Sequence, residues 1–245
     1  MIEIVNLSKS FEGHPVLRGV NLTIQPGENM VIIGRSGCGK SVLLKHIIGL
    51  MRPDEGQVLV DGQEISWMDR DSRSGLTRQF AMLFQGAALF DSLTVGENVA
   101  FPLREDGQMR KEAIAGRVRE CLELVGLSGI EHLKPAELSG GMKKRVGLAR
   151  ALARQPRVIL YDEPTTGVDP IMADVINRLI VEMRDRGKVT GVVVTHDMVS
   201  AYQVGNRIAM LHEGKIIQVG TVDQIRATTH PVVKQFILGK SDNGG

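Results

Sequence analysis

The chain has 245 residues, the length of one large domain or two small ones, and its 42% hydrophobic content is enough for a real core. The net charge of +2 is too small to indicate nucleic-acid binding by itself, and no apolar run approaches the roughly 20 residues that span a bilayer. Two cysteines, Cys38 and Cys121, do not make a disulfide framework and fit a reducing cytosol.

The first third of the sequence is predicted to form an antiparallel sheet. Short β-rich runs separated by Pro-Gly and Asp-Gly turn signals occupy Ile2–Val5, Val20–Ile24 and Gln57–Val60. Because the first residues of the chain have a pattern typical of a β-strand, they are not expected to be a signal peptide.

Residues 34–41 read Gly-Arg-Ser-Gly-Cys-Gly-Lys-Ser, a complete G-x-x-x-x-G-K-[ST] motif between an apolar run at 30–33 and a helix-like stretch at 42–51. Such glycines let backbone N–H groups face a β-phosphate, and the helix N-terminus adds partial positive charge. Lys40 is placed to reach the β- and γ-phosphates, and Ser41 to ligate Mg²⁺. The alternative, a glycine-rich turn without a ligand, is disfavoured by the strand and helix around the motif. The predicted nucleotide-binding residues of this stretch are Gly34, Arg35, Ser36, Gly37, Cys38, Gly39, Lys40, Ser41 and Val42.

Four short, almost wholly apolar runs are typical of buried parallel strands: Met30–Ile33, Phe80–Phe84, Val158–Tyr161 and Val192–Thr195. Residues 86–137 show a charged residue pattern typical of helices and no strand pattern, and we interpret them as helices inserted between two core strands.

Two further elements are predicted in the second half of the chain. A one-sided apolar stripe over Ile171–Met183, preceded by Asp169 as N-cap and Pro170 at the first helical position, predicts a helix. Ile208–Leu211 and Lys215–Val219 predict a hairpin.

Polar residues at the ends of two predicted parallel strands are candidate catalytic groups. Asp162 is expected to hold Mg²⁺ through water, and Glu163 to polarise an attacking water. The alternative, a turn cap ahead of Pro164, is weakened by the phosphate loop upstream. His196 closes the fourth strand, where it can touch a γ-phosphate or the water, although a histidine at a strand end is by itself more often structural.

Ser139, Gly140 and Gly141 precede a helix predicted over Lys143 to Ala153 and form a second potential anion-binding nest. A chain with one phosphate loop has no evident use for it, so we expect it to cap the γ-phosphate bound by a second copy. The six basic residues between Lys143 and Arg157 favour a solvated helix face over nucleic-acid binding, because no aromatic residues interleave with them.

In their order along the chain, these motifs resemble those of the ABC ATPases over essentially the whole sequence. The matching positions are the phosphate loop at 34–41, Gln85, Leu-Ser-Gly-Gly at 138–141, Tyr-Asp-Glu at 161–163, Gly-Val-Asp at 167–169 and His196. The resemblance implies an α/β fold: a P-loop NTPase core with an antiparallel β subdomain and an inserted α-helical subdomain. It implies ATP and Mg²⁺ as cofactors, Ser41, Gln85 and Asp162 as the metal ligands, and Glu163, His196 and Lys40 as the catalytic residues.

The same resemblance implies one ATP-binding domain over residues 1–240. Its core and β subdomain comprise 1–85 and 155–220, its helical subdomain 86–154, and a C-terminal helical extension and flexible tail follow at 221–245. The implied partners are a second copy in a head-to-tail dimer, a transmembrane permease reached through Gln85 and, indirectly, a substrate-binding lipid protein. Nucleic acid is not among them, and the expected location is the cytoplasmic face of the inner membrane.

Two positions depart from the common family pattern. Met142 stands where the signature usually has Gln, and a thioether is only a weak acceptor. Phe11 stands where the adenine-stacking loop usually has Tyr; it can stack on a base, or it is a plain core residue.

Within the family, the chain is most similar to the ATP-binding subunits of bacterial Mla- and Mce-type lipid transporters, through Leu83–Phe90, Glu97–Arg104 and Glu137–Met142. Another importer or a lipoprotein extractor would keep the same catalytic residues. A soluble cassette acting on DNA or ribosomes usually carries a second cassette or an insertion that is missing here. Intact Glu163 and His196 weigh against a scaffold without turnover.

Two more expectations concern single features. Cys38 lies beside a helix N-terminus and Lys40, which predicts a thiolate-prone cysteine. After Pro231, an apolar stripe of Val232, Val233, Phe236 and Ile237 predicts a helix that packs on its own subunit or docks on a second one.

Overall fold

The computed structural model describes residues 1–68, 75–76 and 78–240. Its strands are β1 (Ile2–Phe11), β2 (His14–Ile24), β3 (Asn29–Ile33), β4 (Glu55–Val60), β5 (Gln63–Glu64), β6 (Phe80–Leu83), β7 (Val158–Asp162), β8 (Thr190–Thr195), β9 (Arg207–His212) and β10 (Lys215–Thr221). Its α-helices are α1 (Lys40–Ile47), α2 (Val95–Asp106), α3 (Lys111–Leu124), α4 (Gly140–Leu152), α5 (Pro170–Gly187), α6 (Met198–Val204), α7 (Val222–Arg226) and α8 (Pro231–Ile237), with a 3₁₀ turn at Pro135–Glu137.

The predicted antiparallel sheet is present, with strand order β2-β1-β4-β5 among the described residues. Its first two strands are longer than predicted, because a register shift between Ile4 and Leu7 interrupts the alternation that marks a strand in the sequence. Asn6, inside this irregularity, has a φ of 49°. Phe11 is therefore the last residue of β1, paired with His14 across a tight turn.

The second sheet has the order β10-β9-β3-β8-β7-β6 within the described part of the chain. The four predicted parallel strands are confirmed as neighbours: β3 pairs with β8, β8 with β7, and β7 with β6, all in parallel. The predicted late hairpin, β9–β10, is antiparallel, but β9 also pairs in parallel with β3. The sequence did not predict that β9 extends the parallel sheet.

The parallel sheet separates two hydrophobic cores, because alternate side chains of each strand point to opposite faces. In β3, Val31 and Ile33 join the core shared with the helices, whereas Met30 and Ile32 join the core shared with the antiparallel sheet and α1. Burial on both faces explains why the parallel strands are almost wholly apolar in the sequence.

The helices follow the predicted pattern with shifted ends. Asp169 caps α5 by accepting a hydrogen bond from the Met172 N–H at 2.9 Å, as predicted, and Pro170 occupies the first position. The helix after the Leu-Ser-Gly-Gly run begins at Gly140 rather than at Lys143. In the regions that the structure describes, no helix is long and apolar enough to cross a membrane.

The C-terminal helix α8 packs on the chain's own core: Val233 is buried there, and Val232, Phe236 and Ile237 lie partly buried against the same cluster. This contact favours the first of the two alternatives for the apolar stripe. The predicted flexible tail at 241–245 lies outside the described residues.

The parallel strands bring the candidate site residues to one edge of the sheet. Ile33 lies opposite Thr195, and Leu83 opposite Tyr161. The residues that follow these strand ends, Gly34, Gln85 and His196, consequently leave the sheet on the same side as Asp162, the last residue of β7.

Candidate active site

The loop from Gly34 to Gly39 joins β3 to α1, the strand–loop–helix context that the motif requires. A Cβ added at Gly34 would lie 2.3 Å from the Leu211 carbonyl oxygen, so only glycine fits beside β9. Gly39 precedes α1 with a φ of 103°, a conformation that side chains disfavour. These two constraints hold the loop in a curl whose backbone leads into the helix N-terminus.

Lys40 is buried at the first position of α1. Its Nζ donates hydrogen bonds to the Gly34 carbonyl at 2.9 Å and to the Arg35 carbonyl at 3.1 Å. The same Nζ lies 3.6 Å from Glu163 Oε1. The ammonium group is therefore folded back across its own loop, between the candidate phosphate-binding backbone and the candidate catalytic carboxylate.

Ser41 and Asp162 come together although 121 positions separate them: Ser41 Oγ donates to Asp162 Oδ1 at 2.8 Å. Burial raises the pKa of Asp162, and the hydrogen bond from Ser41 acts in the opposite direction. A hydroxyl and a carboxylate are hard oxygen donors of the kind Mg²⁺ prefers. Gln85, the third predicted ligand, is exposed and lines the same cleft.

These residues fit an ion that completes its coordination with water and phosphate oxygens, as Mg²⁺ does at nucleotide sites. Among the described residues, no group of three or more His, Cys, Asp or Glu side chains is arranged to hold a metal.

Glu163 lies at the centre of the site. Its Oε2 is 2.9 Å from His196 Nδ1 and accepts a hydrogen bond from Thr166 Oγ1 at 3.1 Å. The residue has a φ of 50°, a strained conformation for a non-glycine residue that is held by a hydrogen bond from its N–H to the Val194 carbonyl at 3.0 Å. Its carboxylate is therefore fixed by three side chains, Lys40, His196 and Thr166.

His196 is placed by the end of β8, and its side chain is 57% exposed while that of Glu163 is 11% exposed. The histidine thus connects the buried carboxylate with the open side of the cleft. Sequence reasoning missed Thr166, for which the only signal was its position three residues after Glu163, where the turn at Pro164 brings the chain back.

A cleft of about 810 Å³ collects most of the predicted site residues. Its described lining residues are Phe11, Val16, Arg35, Ser36, Gly37, Gly39, Lys40, Ser41, Val42, Gln85, Glu163, His196, Phe236, Gly239 and Lys240. Phe11 is 41% exposed, which excludes the alternative of a plain core residue and leaves its ring available to a base. The C-terminal residues 236–240 were not predicted to reach this cleft.

Cys38 differs from the prediction. It does not line the cleft but turns inward, half-buried against the hydrophobic core beside β3. Burial raises the pKa of its thiol, and the charge of nearby Lys40 opposes this without outweighing it. The prediction that Cys38 is prone to form a thiolate is therefore wrong. Desolvation raises the pKa of the thiol by more than the helix N-terminus and Lys40 lower it.

The Ser-Gly-Gly-Met run forms the start of α4. Ser139 is the N-cap and accepts a hydrogen bond from the Met142 N–H at 3.2 Å. A Cβ at Gly141 would lie 2.4 Å from Met172 Cγ, so close packing against α5 requires this glycine. Of the described residues that line the cleft, none belongs to 139–142, so the run and the phosphate loop do not share a pocket within one chain.

Comparison with known proteins agrees with this geometry. The profile of the family described as "ABC transporter" matches residues 17–166. A Mycobacterium leprae protein named "Probable ribonucleotide transport ATP-binding protein mkl" is 40% identical over 239 residues, covering 98% of this chain and 69% of that protein. The Arabidopsis thaliana protein "TRIGALACTOSYLDIACYLGLYCEROL 3, chloroplastic" is 42% identical over 259 residues, covering 99% and 74%.

A solved structure shares both fold and sequence. It is the dimeric, post-hydrolysis state of the ATP-binding cassette MJ0796 bound to ADP and Pi, with 35% identity and a TM-score of 0.85 over 91% of this chain and 99% of that one. A match over more than half of the chain and relatives of this similarity establish the family. The chain is a member of the ABC transporter family, and it is an ATP-hydrolysing cassette subunit.

Proposed function

We propose that this chain is the ATPase subunit of a lipid transporter, attached to a transmembrane partner at the cytoplasmic face of the inner membrane. The observation that carries the catalytic part is the placement of Glu163 among Lys40, His196 and Thr166 at the mouth of a phosphate-binding loop. The lipid part is supported by a relative named for a galactosylated diacylglycerol.

In the proposed reaction, the loop backbone and Lys40 hold the β- and γ-phosphates of ATP. Mg²⁺ held by Ser41, Gln85 and Asp162 would supply charge neutralisation at these phosphates. Glu163 accepts a proton from a water aligned for in-line attack on the γ-phosphorus, and ADP leaves with the bridging oxygen. His196 orients the water or stabilises the γ-phosphate while it holds the carboxylate through Nδ1.

A second copy would complete each site. Ser139, Gly140 and Gly141 lie at a helix N-terminus outside the chain's own cleft, where N–H groups and the helix dipole favour an anion. The similar cassette structures are dimeric. We therefore propose a head-to-tail dimer in which these residues contact the γ-phosphate held by the other copy. Met142 lies partly buried against its own core, so it would add only packing there.

A groove of about 870 Å³ beside the Gln85 loop is the proposed docking surface for the transmembrane partner. Three exposed aromatic residues, Phe84, Phe90 and Phe101, line it. The rings of Phe90 and Phe101 lie 4.7 Å apart, and the Arg150 guanidinium lies 5.9 Å from the Phe90 ring. An exposed aromatic patch of this kind is typical of protein interfaces.

Solute import is the second candidate. Relatives named for methionine import and ribonucleotide transport share about the same identity with this chain as the lipid-named relative, 42%, 40% and 42%. Both candidates would keep the same catalytic residues, so the cargo has to be measured.

The test is to isolate the chain from its native membrane with its bound partners and identify the co-purified membrane protein and small molecules by mass spectrometry. A transmembrane subunit together with enriched phospholipid is expected. Phe90→Ala is expected to lose the membrane subunit, whereas Leu124→Ala, which changes an equally exposed apolar residue outside the groove, is expected to keep it. Enrichment of methionine or ribonucleotides instead of lipid would support the second candidate.

A further inference from the structure

Lys144 is a buried cation that connects three parts of the site. It lies on α4, five residues after the Ser139 cap, and is 6% exposed. Its Nζ donates a hydrogen bond to the Gln85 carbonyl at 2.9 Å and another to the Glu163 carbonyl at 3.1 Å. Both acceptors are backbone oxygens, and they belong to the segments that follow β6 and β7.

Burying an ammonium group is costly unless its hydrogen bonds are satisfied. Burial lowers the pKa of Lys144, while the charges of Glu163 and Asp162 act in the opposite direction. An apolar side chain would fill the same space between α4 and the sheet without this cost. The cation does what an apolar side chain could not do in this space: it donates hydrogen bonds to the two carbonyls.

One face of α4 holds the loop that starts at Gln85. Gly147 packs so closely that a Cβ would lie 2.9 Å from Leu83 Cδ1 at the end of β6 and 3.2 Å from Ala87 Cβ in the loop. Arg150 donates hydrogen bonds to the Ala87 carbonyl at 2.6 Å and to the Ala88 carbonyl at 2.7 Å. Lys144, Gly147 and Arg150 are three residues apart and thus share a face. Of these three, Lys144 is the one whose contacts extend to Glu163.

We propose that Lys144 is a positioning residue that ties the start of α4 to the backbone of both Gln85 and Glu163. The proposal rests on the functions proposed above for those two residues. A displacement of α4, whether caused by a docked membrane partner or by a second copy at Ser139, is transmitted by this tie to the backbone that carries the catalytic carboxylate. The Glu163 carboxylate is then correctly placed only when α4 and the Gln85 loop keep the relative positions that the Lys144 hydrogen bonds fix.

The test compares Lys144→Met with Lys143→Met in the full chain. Lys143 is the adjacent lysine on the same helix but is not buried, so its variant controls for the loss of one positive charge. Lys144→Met is expected to lower kcat by at least about tenfold and to change the KM for ATP by less than about threefold, because Lys144 does not line the nucleotide cleft. Lys143→Met is expected to leave both unchanged.

Hydrogen exchange gives a second readout that does not depend on turnover. The Ala87 N–H is bonded to the Phe84 carbonyl, and the Glu163 N–H to the Val194 carbonyl. Faster exchange of these two amides is expected in Lys144→Met and not in Lys143→Met. Lys144→Gln, which keeps a shorter donor, is expected to give intermediate values, and it decides the question if the methionine variant does not fold.

The proposal is overturned if Lys144→Met and Lys143→Met agree within about twofold in kcat and show the same exchange. It is also overturned if the KM rises while kcat is kept, since Lys144 would then act in nucleotide binding. Failure of the proposed function would look different: Glu163→Gln would retain turnover, whatever the result at Lys144.

Discussion

At the scale of single residues, the position of Glu163 leads to the most direct prediction. Its carboxylate touches Lys40, His196 and Thr166, and an amide of the same shape keeps these neighbours but cannot accept the proton of water. Glu163→Gln should abolish turnover and retain ATP binding, so that a nucleotide-loaded dimer accumulates. A steady-state phosphate assay with size measurement in ATP and Mg²⁺ checks this. Turnover within about tenfold of the unmodified protein would contradict the catalytic role.

We expect Lys40 to contribute to affinity for ATP rather than to proton transfer. Its Nζ bridges the carbonyls of Gly34 and Arg35, which holds the ammonium group at the proposed phosphate loop. Lys40→Ala should weaken ATP binding by about 10- to 100-fold, measured by calorimetry, because a charge-assisted contact in a buried position is lost. Lys45→Ala on the exposed side of the same helix is the control and should bind as before. Equal affinity of the two variants would disprove the phosphate-loop role.

The inward orientation of Cys38 changes what thiol labelling should show. Because burial raises its pKa above the usual value of 9.0, the thiolate fraction is small at neutral pH and the alkylation rate should still increase as the pH rises through 9. MgATP should slow the labelling of Cys38, since the loop is expected to wrap around phosphate. Cys121 is fully buried, its pKa is raised to about 11, and it should stay unlabelled in the folded protein. Rapid labelling of Cys38 at pH 7 would contradict this orientation.

At the scale of elements, the sequence correctly predicted the strands whose residue pattern follows from a single physical requirement. The parallel strands were correct because burial on both faces demands apolar residues throughout, as in Met30–Ile33. The antiparallel strands were cut short because Asn6 and the register shifts around it break the alternation. The pairing of β9 with β3 and the approach of Phe236 to the cleft were missed, because both depend on contacts far apart in the chain.

The same distinction applies to the site. Lys40, Ser41, Asp162, Glu163 and His196 were predicted because motif spacing and strand ends locate them. Their mutual contacts are consistent with the roles proposed for them. The reactivity of Cys38 was not predictable, since the balance between burial and nearby charge is set by tertiary packing.

Asn98 joins an element to a loop and gives a stability prediction. Its buried amide accepts a hydrogen bond from the Phe90 N–H at 2.8 Å and donates to the Thr94 carbonyl at 2.9 Å. Asn98→Ala should leave the Phe90 N–H without this partner, whereas the Thr94 carbonyl keeps its hydrogen bond from the backbone N–H of residue 98. The free energy of unfolding should fall by about 1–3 kcal/mol, measured by denaturant titration. Glu105→Ala, on the exposed side of the same helix, should change it by less than about 0.5 kcal/mol. A neutral Asn98→Ala would mean that water replaces these contacts.

At the scale of the whole molecule, two cores meet at the parallel sheet, and the nucleotide cleft opens at the edge where its strands end. Helices α2, α3 and α4 pack on one another and on the core opposite the antiparallel sheet. We propose that they form the inserted subdomain. Lys144 and Arg150 connect it to the Gln85 loop through hydrogen bonds to backbone carbonyls, so a movement of these helices would act directly on that loop.

The C-terminal segment gives the test at this scale. Deleting residues after Thr229 removes Val233, which is buried in the chain's own core, and also Phe236 and Lys240, which line the nucleotide cleft. We expect the free energy of unfolding to fall by about 1.5–3 kcal/mol, because the buried Val233 side chain is lost. The affinity for ATP should fall as well, because the cleft loses an aromatic wall and a positive charge.

Truncation after Lys240 is the matched control, since it leaves every described residue in place, and it should match the full chain in both measurements. Denaturant titration, calorimetry with ATP and mass in solution together separate the alternatives for this helix. The protein truncated after Thr229 could lose its dimer while its stability and its ATP affinity stay unchanged. That result would contradict packing of α8 on its own subunit and would support docking on a second one. If this protein instead loses both stability and ATP affinity, and Lys240→Ala lowers the ATP affinity alone, then the C-terminal segment packs on its own subunit and contributes to that subunit's cleft.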